Sequence, residues 1–240
     1  MPAVLRYLKE IGLKSKSGHF VDIHWALLEN PGLLDETAVD WEGTLIPVGN
    51  GVALHTLRDD DLFPYLCGHG ATHHWARLKW LADLNALISQ AAPSTLAAFN
   101  ARAAALGTRW PAVQAQILCQ KLFSTPLDDT IEKYSASKRA QHLTDYALQK
   151  MGTLQDRPDR GPLTAARENL ILAQLGTGRH FWSGYLKAQL VQPTVIQELS
   201  LPVGLIFLYP FIRPFFWLWF RWLNPRGRYR WNGKSVDTTT

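Results

Sequence analysis

TLRDDDLFPYLCGHGATHHWARLKWLADLNALI, from Thr56 to Ile88, reads as one helix around which the rest of the chain is arranged. Thr56 is placed to cap the amide of Asp59, and Asp59, Asp60 and Asp61 put negative charge at the positive end of the helix dipole. Advancing about 100° per residue gathers Leu62, Leu66, Trp80, Leu81, Leu84, Leu87 and Ile88 on one side, the pattern of a helix packed on a core. His69, His73 and Arg77 fall on that same side. An arginine on a core-facing stripe needs an anion, because an unpaired buried guanidinium is expensive. A protein carboxylate and a ligand phosphate both meet that need. Cys67, His69, His73 and His74 also invite a zinc reading. On one helix, however, Cys67 and His74 fall together while His69 and His73 lie nearly opposite, so the four do not close one tetrahedral site. The glutamate of an HExxH motif is absent too. Gly68 and Gly70 are the places where such a helix can kink.

Working outward toward the N-terminus, Tyr7 to Leu13 and Phe20 to Leu27 read as two strands joined around Ser15, Lys16, Ser17 and Gly18. VDIHW alternates, so Val21, Ile23 and Trp25 are expected to face a core while Asp22 and His24 share the open face. Leu33 to Trp41 reads as a loop with a short helix. Thr44 to Leu57 reads as a hairpin turning at Gly49, Asn50 and Gly51, where positive φ costs little.

Toward the C-terminus everything is helical in pattern. Ser94 is expected to cap a helix ending at Gly107, Pro111 to open another reaching Phe123, and Pro126 to start a third. Further helices are expected over Ala136 to Met151, Thr164 to Leu175 and Arg179 to Val191, with a polar Pro/Gly loop over Thr153 to Pro162. LGTGRH, at Leu175 to His180, is a short glycine signal that a plain helix terminus explains.

Leu201 to Leu223 is about long enough to cross a bilayer, but Pro210, Pro214, Arg213 and Arg221 interrupt it. Docking on the helical domain is the expected fate of this segment, with an anionic membrane surface as the alternative partner for its aromatic and basic side chains. Charge is placed unevenly. Six basic residues (Arg213, Arg221, Arg226, Arg228, Arg230, Lys234) and one acid (Asp237) follow Leu201, and the first 200 residues hold 19 of each sign, so the net charge of +5 sits in the tail. A nucleic-acid reading from overall basicity is therefore misplaced. Met1 to Gly12 lacks the pattern of a signal peptide, and two cysteines, Cys67 and Cys119, both within apolar helical patterns, point to a reducing, cytoplasmic setting.

FVDIHWALLENPGLL, then IPVGNGVALHTLRDDDLFPYLCGHGATHHWARLKWLADL, then ELSLPVGLIFLYPFIRP, resembles a bacterial family of uncharacterised nucleotidyltransferases with a DNA polymerase beta-type fold. The resemblance runs from about Tyr7 to Arg213. It implies transfer of a nucleoside monophosphate from a nucleoside triphosphate to an acceptor that the sequence does not identify. It also implies three carboxylates holding two magnesium ions. Asp22 matches the strand of the third carboxylate and is the expected catalytic, metal-ligating residue. The glycine-rich turn and Asp-x-Asp strand of the family do not precede it, and Asp59 to Asp61 come after it, at a helix start. The chain is thus expected to be an N-terminally truncated, incomplete version, inactive alone, whose missing half would act in trans. Beside this stands a non-catalytic interaction or membrane-docking module.

The expected architecture is α+β, with residual nucleotidyltransferase-type strands (1–56), a mainly helical domain (57–223) and a basic, partly disordered tail (224–240). Asp22 would bind Mg2+, and His69, His73, Arg77 and Lys79 are the candidates for binding phosphate or nucleotide.

Overall fold

A computed structural model describes residues 9–151 and 162–190, together with Leu205, Leu208, Phe211, Ile212 and Phe215. The architecture is α+β, as expected: two antiparallel hairpins come first, and helices fill the rest. In the first hairpin β1 (Glu10–Lys14) pairs with β2 (Phe20–His24) across a turn where Ser15 Oγ and Ser17 Oγ lie 2.8 Å apart. In the second, β3 (Thr44–Gly49) pairs with β4 (Val52–Thr56), and Gly49, Asn50 and Gly51 all take positive φ at the turn. The loop before β3 carries one short 3-10 turn at Glu36–Ala38.

Eight helices follow among the described residues: α1 (Asp59–Thr72), α2 (Leu78–Gln90), α3 (Pro93–Leu106), α4 (Arg109–Phe123), α5 (Asp129–Ser135), α6 (Lys138–Met151), α7 (Pro162–Leu172) and α8 (Gly178–Leu190). The chain divides into two compact units, residues 30–185 in one and residues 1–29 with 186–240 in the other.

The stretch Thr56 to Ile88 is not one helix. Thr56 ends β4, Arg58 is the N-cap of α1 and makes no capping bond through its side chain, and the helix stops at Thr72. The stop is a Schellman motif: Trp75 N–H donates to Gly70 O at 2.8 Å and His74 N–H donates to Ala71 O at 3.0 Å, with His74 left-handed at φ 54°. Trp75, also left-handed, folds its indole back onto α1. Gly70 makes room for it, since a Cβ there would lie 2.3 Å from the ring. The indole is wholly buried and donates from Nε1 to Gln114 Oε1 at 3.2 Å; Gln114 Nε2 in turn donates to Leu143 O at 2.7 Å. The turn therefore carries a core residue and ties α1 to α4 and α6.

The break also shifts the buried face. In α1 it is Phe63, Cys67, Gly70 and Ala71 that are enclosed, one position on from the expected Leu62 and Leu66, which are only half-buried. In α2 Leu81, Leu84 and Ile88 are buried as expected. The helix around which this core forms is α4. Every residue from Pro111 to Cys119 is buried, and α1, α2, α3, α5 and α6 all pack on it. One cluster joins Phe63, Cys67, Trp75, Leu84, Phe99, Leu118 and Cys119 among others.

Smaller corrections concern helix starts. Ala92 is the N-cap of α3, with Pro93 rather than Ser94 as the defining residue, and Asp128 caps α5 by accepting from Thr130 N–H at 2.9 Å, two residues after Pro126. Val21 and Ile23 are exposed, contrary to the core face expected of them, and Trp25 is exposed with them. The polar loop of 153–161, the basic side chains of the tail and its expected disorder lie outside the described residues. So does nearly all of Leu201 to Leu223; of its described members, Leu205, Phe211 and Phe215 are exposed. Among the described residues no helix is long and apolar enough to cross a membrane.

Candidate functional site

Asp22 sits at the middle of β2, directly opposite Gly12 of β1, with Glu10 opposite His24 one step along the same face. The missing side chain at position 12 is what leaves this carboxylate uncovered: a Cβ on Gly12 would stand 3.0 Å from Asp22 Oδ1. Next to it His24 Nε2 and Glu10 Oε2 are 3.2 Å apart. The alternation of VDIHW thus delivers the carboxylate and imidazole side by side on an open strand face. Glu10 joins them through strand pairing, which the spacing within one strand does not reveal.

The second group of expected residues gathers around Trp80. The rings of His69 and His73 lie 4.7 Å apart on the last turn of α1. His69 meets the Trp80 indole edge-on at 5.0 Å, and His73 meets it at 5.3 Å. Arg77, the N-cap of α2, holds its guanidinium over the same indole at 5.5 Å. The break after Thr72 does not scatter these side chains, because Trp80 on the first turn of α2 reaches back to both histidines. Tyr65 extends the assembly, 5.7 Å from His69. Trp80 belongs to the site as well as to the packing of α2. Its spacing from Arg77 (i, i+3) and from His73 (i, i+7) was the available signal.

Arg77 differs from its expectation in one respect. It is exposed, and among the described residues no carboxylate pairs with it, so no core ion pair explains it. Lys79 points elsewhere: it is largely exposed and pairs with Asp83 at 3.2 Å in an i, i+4 bridge on α2, so it does not join the cluster.

His74 parts company with its neighbour. It is enclosed between helices, edge-on to Tyr146 at 5.1 Å, and burial pushes its pKa down to about 4. The imidazole is therefore neutral near pH 7 and offers no charge to an anion. Burial also raises the Cys67 thiol well above its ordinary value and pushes Cys119 up to about 12, so neither is a ready nucleophile or metal ligand.

Asp61, one of the three acids at the start of α1, is buried. Its Oδ1 accepts from Arg102 Nε at 2.7 Å and its Oδ2 from Asp40 N–H at 2.9 Å, while Arg102 also donates to Ala38 O at 2.6 Å. These bonds fasten the 38–40 loop to α1 and α3 and leave Asp61 no part in metal binding.

Two magnesium ions need several oxygen ligands between them, and a single exposed aspartate does not hold them. Among the described residues no group of three His, Cys, Asp or Glu side chains is placed to hold a metal. These residues by themselves do not fit the two-metal centre.

Residues 4–124 match the family described as uncharacterised nucleotidyltransferases. The chain belongs to that family. The match takes in both hairpins, the Schellman turn, the Trp80 cluster and all of α4. No curated protein and no solved structure matches the chain.

Proposed function

We propose that this member of the family serves nucleotidyl transfer by binding a nucleoside triphosphate and contributing one carboxylate, Asp22, to a metal centre whose other carboxylates lie outside the described residues. The observation that carries the reading is the uncovered Asp22 over Gly12 on an open strand face. Arg77 supports the nucleotide half of it. An exposed guanidinium without a carboxylate, held in place on an indole, is suited to a phosphate, and His69 and His73 pack against the same indole. Lys79, engaged with Asp83, has a lesser claim.

Asp22 would be the metal ligand and, when bound, the metals would neutralise triphosphate charge. Two free, buried cysteines support a reducing, cytoplasmic location.

The test is thermal. A triphosphate should raise the melting temperature of the wild type, and Arg77→Ala should reduce that rise while leaving the ligand-free melting temperature little changed. A large loss of stability without ligand would instead make Arg77 structural and sink its nucleotide role.

A further inference from the structure

A second cationic site lies in the helical unit, away from Asp22 and Trp80 in the sequence. The turn from α7 to α8 contains the glycine signal LGTGRH, and in the fold it faces α6 across an open groove of about 500 Å3. Lys138, Arg139 and His142 line the groove from α6, Gly176 and Thr177 line it from the turn, and Trp182 lines it from α8. No acidic residue is among those that line it.

The charges are arranged rather than incidental. Lys138, Arg139 and His142 occupy one face of the first turns of α6, at spacings of i, i+3 and i, i+4, where the positive end of the helix dipole adds to them. Arg139 is clamped from both sides. Its guanidinium lies 4.3 Å from the centre of the Trp110 ring, and it donates from Nε to Gln174 O at 2.6 Å and from Nη2 to Gly176 O at 2.9 Å, with a further bond from Nη2 to Gln174 O. His142 Nδ1 is 3.1 Å from Gln174 Oε1. Carbonyls orient the arginine without neutralising it. Among the described residues no aspartate or glutamate pairs with Lys138, Arg139 or His142. Partial burial lowers the Arg139 pKa to about 10, as expected of a charge that is desolvated and lacks a counter-ion. A held, half-buried charge of this kind favours an anion beside it.

We propose that this groove binds the phosphates of a nucleotide, with the base lying against the half-exposed Trp182. Phosphate is the anion that suits two cationic side chains, Lys138 and Arg139, and an imidazole beside a glycine turn, and the indole lining the same groove supplies a stacking face that any base can use. The site is distinct from the Trp80 cluster and does not depend on the role given to Asp22.

Photolabelling the full chain with 8-azido-ATP tests it. Trypsin cuts after Arg179 and Lys187, so the fragment His180 to Lys187 reports on Trp182 directly. That fragment should carry label, an excess of ATP should protect it, and adenosine should protect it far less. Lys138→Glu, an exposed change on the first turn of α6, should weaken labelling about ten-fold, the scale of one charged hydrogen bond. Arg77→Ala should leave this fragment's labelling unchanged. An unlabelled fragment, equal protection by adenosine, or labelling indifferent to Lys138→Glu would overturn the proposal. Label confined to peptides between residues 65 and 80 would overturn it too, while leaving the Trp80 cluster as the nucleotide site.

Discussion

Trp75 and Val21 are both large apolar side chains, yet the first is wholly buried and the second is 57% exposed. The contrast holds between the regions they come from. In the helical body α1, α2, α3, α5 and α6 all pack on α4, and even the polar Gln114 is enclosed and hydrogen-bonded. In the hairpins Leu45, Ile46, Val48, Val52 and Leu54 run nearly without polar interruption, the pattern of strands buried on both faces, and all of them are exposed. A two-stranded hairpin is marginal by itself. The body is thus a finished core, whereas the hairpins have the composition of a sheet interior without its layers. The candidate carboxylate, Asp22, lies in one of these hairpins.

The sharpest way to break this contrast is at Trp75. Trp75→Ala should cost about 4 kcal/mol, because it empties the notch over Gly70 and strands Gln114. Urea unfolding measures it, and a cost below about 1 kcal/mol would mean that the turn is not part of the core.

His74 comes next. Its folded pKa of about 4 lies below the ordinary value of 6.5, so the folded state prefers the neutral ring. Stability from this group is full above pH 6.5 and declines as the pH falls toward 4, by about 3 kcal/mol in all. His74→Asn, which keeps a residue tolerant of the left-handed conformation, should flatten that decline. Unfolding curves at pH 7 and pH 4.5 compare the two slopes.

Asp61→Ala should cost about 2 kcal/mol, less than a fully enclosed pair would, since Arg102 stays partly solvated. The loss should appear together with faster amide exchange in the 38–40 loop. The smallest effect is expected in the hairpins. Leu54→Ser should change stability by less than about 0.5 kcal/mol, while lowering the binding of a hydrophobic dye. A loss comparable to that of Trp75→Ala would show that β3 and β4 are covered after all.

Both hairpins were legible because their turns carry glycine and serine, and β2 because its alternation is strict. The stop after Thr72 was not, since His74 occupies the left-handed position where glycine or asparagine usually gives the signal. The centrality of α4 was hidden by Gln114 and Gln116, polar residues that are buried only because each finds a partner on another element. One helical stripe does not explain where His69, His73 and Arg77 lie. They converge through Trp80 across a break, not along one helix. Exposure of Arg77 could not be read from a periodicity that the break resets. The groove at Lys138 was beyond reach, because it joins residues more than thirty positions apart.

The proposal is that this chain binds a triphosphate while its described residues do not complete the metal centre. It is tested most directly by incubating the purified chain with labelled ATP, CTP, GTP and UTP and magnesium, beside Asp22→Asn. The label should stay in the triphosphate with both proteins. Transfer by the wild type that Asp22→Asn abolishes would contradict the account.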